Sequence, residues 1–467
     1  MRLALIAAAV LSAASARAAD VRVRTTSGDL VGTATHAAHV FKGVPYAQPP
    51  LGPLRWAPPQ PLSWTGERRA DTFGSPCLQR TDPGGRPNGG GVSGPSSEDC
   101  LYLNVWAPAK ARQAPVMVWL YGGGGTMGSG AVGSYHGDAF ARDGVVLVTL
   151  NYRLGALGGF AHPALSAAAG PGEGLGNYHL LDAMAALRWV RDNAEAFGGD
   201  PGNVTVFGQS AGATMVANLL TSPMARGLFD KAIIQSTGSL PTPATPMGRA
   251  EARGAELATA VGLPGADASL EQLRSVPAAD VVLRDRVLGA GLRTILDGRV
   301  KTQSIMDGFA EGVAIDVPLI IGTTSDEGRL SGSQRVATYA MPGAPVWQYF
   351  FDYVPDWRRP EQPNGVPHAG EIPYVFDTLA ADRAGARMTP QDHAVAARVH
   401  SCWVAFAKAA RAATALTCAE GFRWPARDET NGRAVAIFAE RPRLGRAAEL
   451  RSPPNGAPPG PTSRDED

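Results

Sequence analysis

The five residues Gly208-Gln209-Ser210-Ala211-Gly212 constrain this chain more than any other stretch, because of what flanks them. Val204-Thr-Val-Phe207 is a short apolar run of the kind found in strands buried on both faces, and Ala211 to Leu220 reads as a helix. A G-x-S-x-G between strand and helix has to turn sharply. Glycines on either side of the serine permit the turn without side-chain clashes, so the Ser210 hydroxyl projects at the carboxyl end of a strand. The helix that starts there aims free amides and the positive end of its dipole at any anion forming beside it.

The remaining pattern supplies the sheet this turn needs. Pro115-Val-Met-Val-Trp-Leu120 and Gly144-Val-Val-Leu-Val-Thr149 are continuous apolar runs, and Val317-Pro-Leu-Ile-Ile321 and Pro345-Val-Trp-Gln-Tyr-Phe-Phe351 read as two further strands. Between them, Leu180 to Ala196 places Leu180, Ala183, Met184, Leu187 and Val190 at helical spacing. Ala250 to Leu288 reads as helical with a break at Pro264-Gly265, and His393 to Ala412 as another helix. From Asp20 to Arg80 the chain alternates short strands and turns, with Val21 to Thr25 and Val31 to Thr35 in a period of two. The expected architecture is α/β: a large, mostly parallel sheet flanked by helices, with an antiparallel N-terminal region. The 467 residues then form one catalytic domain over 20–450, followed by a disordered Pro, Gly and charge-rich tail at 451–467.

The first residues point to export. Arg2, the apolar run Leu3 to Leu11 and the small residues Ala16-Arg17-Ala18-Ala19 have the layout of a signal peptide over 1–19, cleaved near Ala18 or Ala19. No later apolar run is long enough to span a membrane, so the reading is a secreted or periplasmic protein. A formal net charge of +1 excludes a strongly basic nucleic-acid binder, and 18% charged residues with 44% hydrophobic exclude a mostly disordered chain. Export also makes disulfides accessible to the four cysteines. Cys77 and Cys100 flank the loop Thr81 to Ser97, and Cys402 and Cys418 lie close together near the C-terminal end. Spacing alone leaves other pairings open.

A serine hydroxyl attacks an ester when a base takes its proton and donors hold the oxyanion. Tyr121-Gly122-Gly123-Gly124-Gly125 follows a buried strand and precedes the serine, where an oxyanion loop belongs. The amides of Gly123 and Gly124 are the expected donors, with that of Ala211 as the third. For the base, His368 lies in a loop after a strand, whereas His393 and His400 share a helix and read as ordinary packing or surface residues. For the acid, Gly322-Thr-Thr-Ser-Asp-Glu-Gly328 ends a buried strand, and the spacing does not choose between Asp326 and Glu327. The chemistry calls for no cofactor and no metal, and the partner is a small-molecule ester. Nothing in the sequence specifies an oligomer.

Two longer stretches resemble the signatures of the type-B carboxylesterases. They are Phe197-Gly-Gly-Asp-Pro-Gly-Asn-Val-Thr-Val-Phe-Gly-Gln-Ser-Ala-Gly212 and Glu98-Asp-Cys-Leu-Tyr-Leu-Asn-Val-Trp106. Phe41-Lys-Gly-Val-Pro-Tyr-Ala47, Asn151-Tyr-Arg-Leu-Gly155 and Glu371-Ile-Pro-Tyr-Val-Phe376 are similar to further landmarks of that family. The resemblance implies the α/β-hydrolase fold, a serine carboxylesterase working through an acyl-enzyme, and Glu327 as the acid of a Ser210, His368, Glu327 triad. It also implies a Cys77 to Cys100 disulfide and a supporting role for the Ser236 hydroxyl near acid and base. A non-catalytic binding protein on the same fold is the competing class. It would lack a triad member, and this chain lacks none.

Departures from the family pattern carry their own expectations. Gly125 stands where the family usually has an aromatic, which predicts a wider acyl side of the pocket. The loop from Cys77 to Cys100 holds no aromatic, so the cation–π platform of choline-ester specialists is absent. Only 41 positions separate Glu327 from His368, fewer than the family norm, which predicts a shortened helical lid and an open gorge.

Overall fold

Strands whose residues are apolar at every position belong inside a sheet covered on both faces, and that is where the structure places them. The computed structural model describes residues 19–450 apart from 36, 81–94, 238–242, 290–291, 293, 328–330, 382–386, 432 and 447–449. The leader expected at 1–19, save Ala19, and the tail expected at 451–467 lie outside these residues.

Among the described residues, thirteen strands form one twisted sheet. Its central run is parallel and follows the order Val146–Leu150, Ala114–Leu120, Gly199–Gln209, Lys231–Gln235, Leu319–Thr324, Val346–Phe351 and Val435–Phe438. The strands Asp20–Arg24, Asp29–Ala34, Ala38–Pro45 and Tyr102–Pro108 extend it as an antiparallel N-terminal edge. Arg443–Gly445 closes the opposite edge, also antiparallel. Every residue of Ala114–Leu120, Val146–Leu150, Leu319–Thr324 and Val346–Phe351 is buried, matching their apolar runs.

The strand Lys231–Gln235 escapes a search for apolar runs because a lysine opens it and a glutamine closes it, yet all five residues are buried. Its buried ammonium is satisfied by Asn203 Oδ1 and the Ala407 carbonyl, each at 2.7 Å. Burial pushes this lysine's pKa down to about 8.

Helices cover the sheet. Tyr178–Asn193 matches the expected helix, while the helix Ala211–Leu220 is buried along its whole length. The stretch expected as one helical region with a single break divides into Met247–Ala260, Leu270–Ser275 and Ala278–Arg284. A capping box from Ser269 and Gln272 starts the second helix, and Pro277 separates it from the third. The last long helix runs Pro390–Lys408, begun by a Thr389 and Asp392 capping box with proline at its first turn. Both cysteine pairs are joined, Cys77 to Cys100 and Cys402 to Cys418, the second fastening that helix to the segment beginning at Ala415. Among the described residues, no helix is long and apolar enough to cross a membrane.

One buried ion pair braces the region under the site. Arg153 Nη2 and Nε lie 2.7 and 2.8 Å from the two oxygens of Asp182, both side chains almost wholly out of solvent. Two residues further on, the Gly155 amide donates to the Gly125 carbonyl at 2.8 Å.

Candidate active site

Ser210 sits at the turn between Gly199–Gln209 and Ala211–Leu220 with φ 58° and ψ −122°, a conformation that side-chain-bearing residues rarely adopt. What forces it is a close approach. A Cβ on Gly212 would lie 1.9 Å from the Leu120 carbonyl oxygen, so only glycine lets the helix begin against the neighbouring strand. The same approach brings the next loop to the serine, since a Cβ on Gly122 would lie 2.9 Å from Ser210 Cβ.

That loop folds on itself. Thr126 and Met127 amides both donate to the Gly123 carbonyl, at 3.1 and 3.2 Å. Gly123 has φ 108°, and a Cβ there would meet the Met127 carbonyl oxygen at 2.3 Å. The amide hydrogens of Gly123, Gly124 and Ala211 meet no acceptor among the described residues. At Gly125 the space of the missing aromatic is not simply open, as the sequence suggested: a Cβ there would fall 2.8 Å from Leu292 Cδ1.

The sheet ladder continues one rung past the strand ends and sets the site in register. Ser210 donates its amide to the Gln235 carbonyl, Ser236 to that of Gly322, and Ser325 to that of Phe351, each at 2.9 to 3.0 Å. Glu327 and His368 follow from these rungs. Asp326 N donates to the Val366 carbonyl at 3.0 Å, and Val366 N donates to Ser325 Oγ at 2.9 Å. The two loops are thereby tied together.

The adjacency that sequence spacing left open resolves clearly. Asp326 points to solvent, whereas Glu327 Oε1 pairs with His368 Nδ1. The other oxygen of Glu327 accepts from Thr323 Oγ1 at 2.6 Å, Thr324 Oγ1 at 3.0 Å and Thr324 N at 3.2 Å. On the far side of the imidazole, the Gln209 side-chain amide lies 3.2 Å from Nε2. An amide nitrogen can only donate and a carboxylate can only accept, so the ring proton resides on Nδ1 and Nε2 keeps its lone pair. The other histidines behave as expected: His393 is exposed, and His400 is buried with Nδ1 2.8 Å from the Val375 carbonyl.

Two glutamates near His368 are driven in opposite directions. Burial works to raise the Glu327 pKa, but the hydrogen bond and charge of His368, with Thr323 and Ser236, hold it down at about 2. Burial lowers His368, while the hydrogen bond and charge of Glu327 outweigh it and raise the imidazole overall. Glu371 is fully buried, with Oε1 3.5 Å from both Gln235 Nε2 and Ser236 Oγ. Its desolvation, reinforced by the Glu327 charge, pushes it up to about 7. Ser236 lies beside both carboxylates, 3.5 Å from Glu371 Oε1 and hydrogen-bonded to Glu327. The roles of Glu371 and Gln209 were not read from sequence. Glu371 belongs to a quoted landmark, but a lone acidic letter carries no sign of burial, and Gln209 fills the variable position of the serine motif.

A serine elbow between strand and helix, a carboxylate and histidine tied at the ends of neighbouring parallel strands, and a glycine loop beside them define an α/β hydrolase. A model of the carboxylesterase family matches residues 19–341 and 331–443. The chain belongs to the carboxylesterase family and is a carboxylic ester hydrolase. Among curated relatives, the fumonisin B1 esterase of Sphingopyxis macrogoltabida is 36% identical over 461 residues, covering 82% of this chain and 81% of that protein. The para-nitrobenzyl esterase of Bacillus subtilis (strain 168) is 34% identical over 488 residues, covering 90% and 95%. A solved PNB esterase structure superposes with a TM-score of 0.79 at 31% identity, over 92% of this chain and 98% of that one.

The raised pKa of Glu371 predicts a pH signature in stability. A carboxyl that titrates at about 7 when folded and near 4.5 when unfolded contributes fully below pH 4.5, and that contribution is lost as pH rises through 7. Glu371→Gln, neutral throughout, should match the wild type at pH 4. Its melting temperature should pull ahead between pH 4.5 and 7 and hold a constant lead above that. A lead that is independent of pH would show that Glu371 is not protonated in the folded protein.

Proposed function

We propose that this chain is an exported serine carboxylesterase that hydrolyses esters through an acyl-enzyme. Ser210 Oγ attacks the ester carbonyl and His368 Nε2 takes its proton, later returning it to the leaving alcohol. Glu327 orients the ring and stabilises the imidazolium, and the amides of Gly123, Gly124 and Ala211 receive the oxyanion. Water, activated by the same histidine, then releases the acid. The observation that carries this reading is the position of His368, bonded through Nδ1 to Glu327 while Nε2 faces Gln209, the residue next to Ser210.

Export is supported by two formed disulfides that use all four cysteines, a pattern of oxidising compartments. The short span between acid and base supports an open gorge that accepts bulky acyl or aromatic esters. The para-nitrobenzyl esterase relatives carry an aromatic ester in their name, in keeping with that preference.

Ser210→Ala should abolish hydrolysis of para-nitrophenyl acetate and labelling by a fluorophosphonate probe, and an ester panel on the wild type should favour bulky acyl groups. Unchanged turnover in the variant would sink the mechanism, and sharp selectivity for acetyl would sink the open gorge. The rate should depend on pH through His368, whose neutral form is the base. Because its pKa is raised, kcat/KM should climb with pH through a midpoint above 6.5 and then level off. Glu327→Gln removes the group that raises it, so the midpoint should move down while kcat falls by about ten-thousandfold. A midpoint unaltered by that change would place the titration elsewhere. Finally, fractionation of expressing cells should find the active protein outside the cytoplasm with no titratable thiol. Active protein confined to the cytoplasm would refute export.

A further inference from the structure

Gln79 lies two residues after Cys77 and is only 5% exposed. Its side-chain amide meets the backbone of Gly128 edge to edge. The Gly128 amide donates to Gln79 Oε1 at 2.9 Å, and Gln79 Nε2 donates to the Gly128 carbonyl at 3.0 Å. Nε2 also reaches the Cys77 carbonyl at 3.0 Å. A glutamine can do this because its amide offers a donor and an acceptor on one edge, as a peptide group does.

Gly128 is the far end of the glycine loop. A Cβ there would lie 2.5 Å from the Tyr121 ring and 3.0 Å from the Gly122 carbonyl oxygen, so the loop's end is pressed against its beginning. Gly123 and Gly124 sit between those two points. With Gly128 held, the turn closed by Thr126 and Met127 on the Gly123 carbonyl has no slack, and the directions of the Gly123 and Gly124 amides are set. Cys77 is itself bonded to Cys100, which lies two residues before the strand Tyr102–Pro108. The clamp therefore has a covalently fixed base. Asn151 Oδ1 adds a second hold just beyond, accepting from the Gly130 amide at 2.9 Å.

We propose that Gln79 is a positioning residue for the oxyanion hole, acting through Gly128 and anchored by the Cys77 to Cys100 disulfide. This rests on the esterase reading above. A loop displaced by a fraction of an ångström keeps substrate binding but loses complementarity to the tetrahedral oxyanion, so the loss appears in turnover.

The test uses the full chain carrying Gln79→Met, which keeps length and apolar bulk but makes no clamp, and Gln79→Glu, which keeps the acceptor for Gly128 N–H and loses the donor. Wild-type turnover of para-nitrophenyl acetate is measured first and tests the esterase reading by itself, so the two ideas fail separately. In Gln79→Met, kcat should fall by about ten- to a hundredfold with KM within about threefold, and Gln79→Glu should lie between it and the wild type. Affinity for a trifluoromethyl ketone, whose adduct with serine carries the oxyanion, should weaken by the same factor as kcat/KM. Wild-type kcat in both variants overturns the proposal, as does a loss of kcat without matching loss of ketone affinity. Failure of both variants to fold overturns it as well, since it would make Gln79 a residue of stability.

Discussion

The carbonyl of Leu120 and the α-carbon of Gly212 approach so closely that no side chain fits between them, and the rest of the site is arranged around that approach. It starts a helix in direct contact with a neighbouring strand, which leaves Ser210 in a positive-φ turn and sets the glycine loop against it. From there the geometry is inherited sideways. Ser210, Ser236 and Ser325 each donate an amide to the next strand, so Ser210, Ser236 and the loop carrying Glu327 are placed by continuation of the parallel ladder. A parallel sheet presents its strand ends on one side, and residues from distant parts of the chain converge there with little further machinery.

Charge is distributed in this site by unequal solvation. Glu327 is partly buried but surrounded by hydroxyls, an amide and the imidazole, all of which favour its ionised form. Glu371, nearby and fully enclosed, has only weak contacts at 3.5 Å, and the Glu327 charge discourages a second anion. Two chemically identical side chains thus titrate far apart, Glu327 ionised well below neutrality and Glu371 giving up its proton only around neutral pH. The Tyr349 hydroxyl, buried beside both, is pushed far above its ordinary range by burial and by the two carboxylates, so it keeps its proton.

The parts of this structure that were legible in the sequence are those whose physics is local. Uninterrupted apolar runs reported buried strands, and the serine motif between a strand and a helix reported the elbow. Where a tertiary partner overrode local character, the reading fell short. The strand beginning at Lys231 is buried because Asn203 and the Ala407 carbonyl, remote in sequence, satisfy its ammonium. The choice of Glu327 over Asp326 came from resemblance, and the geometry shows why the neighbour differs: Asp326 uses its backbone, not its carboxylate, to hold the histidine loop. Gln79 and Glu371 were invisible as participants, because their significance lies in what they face across the fold.

The two bonds joining the acid loop to the histidine loop have a consequence for how such a chain can vary. Because Ser325 and Asp326 grip Val366 directly, the 41 positions from Glu327 to His368 form a closed excursion whose two ends are pinned together. The strand Val346–Phe351 anchors the middle of that excursion in the sheet, so changes of length in the stretches on either side of it leave the spacing of Glu327 and His368 in place. Variation in those stretches is mechanically decoupled from the pairing of Glu327 with His368. A chain tied in this way tolerates trimming or extension beside the strand as a change of length alone, because both ends of the excursion are fixed by the same two bonds.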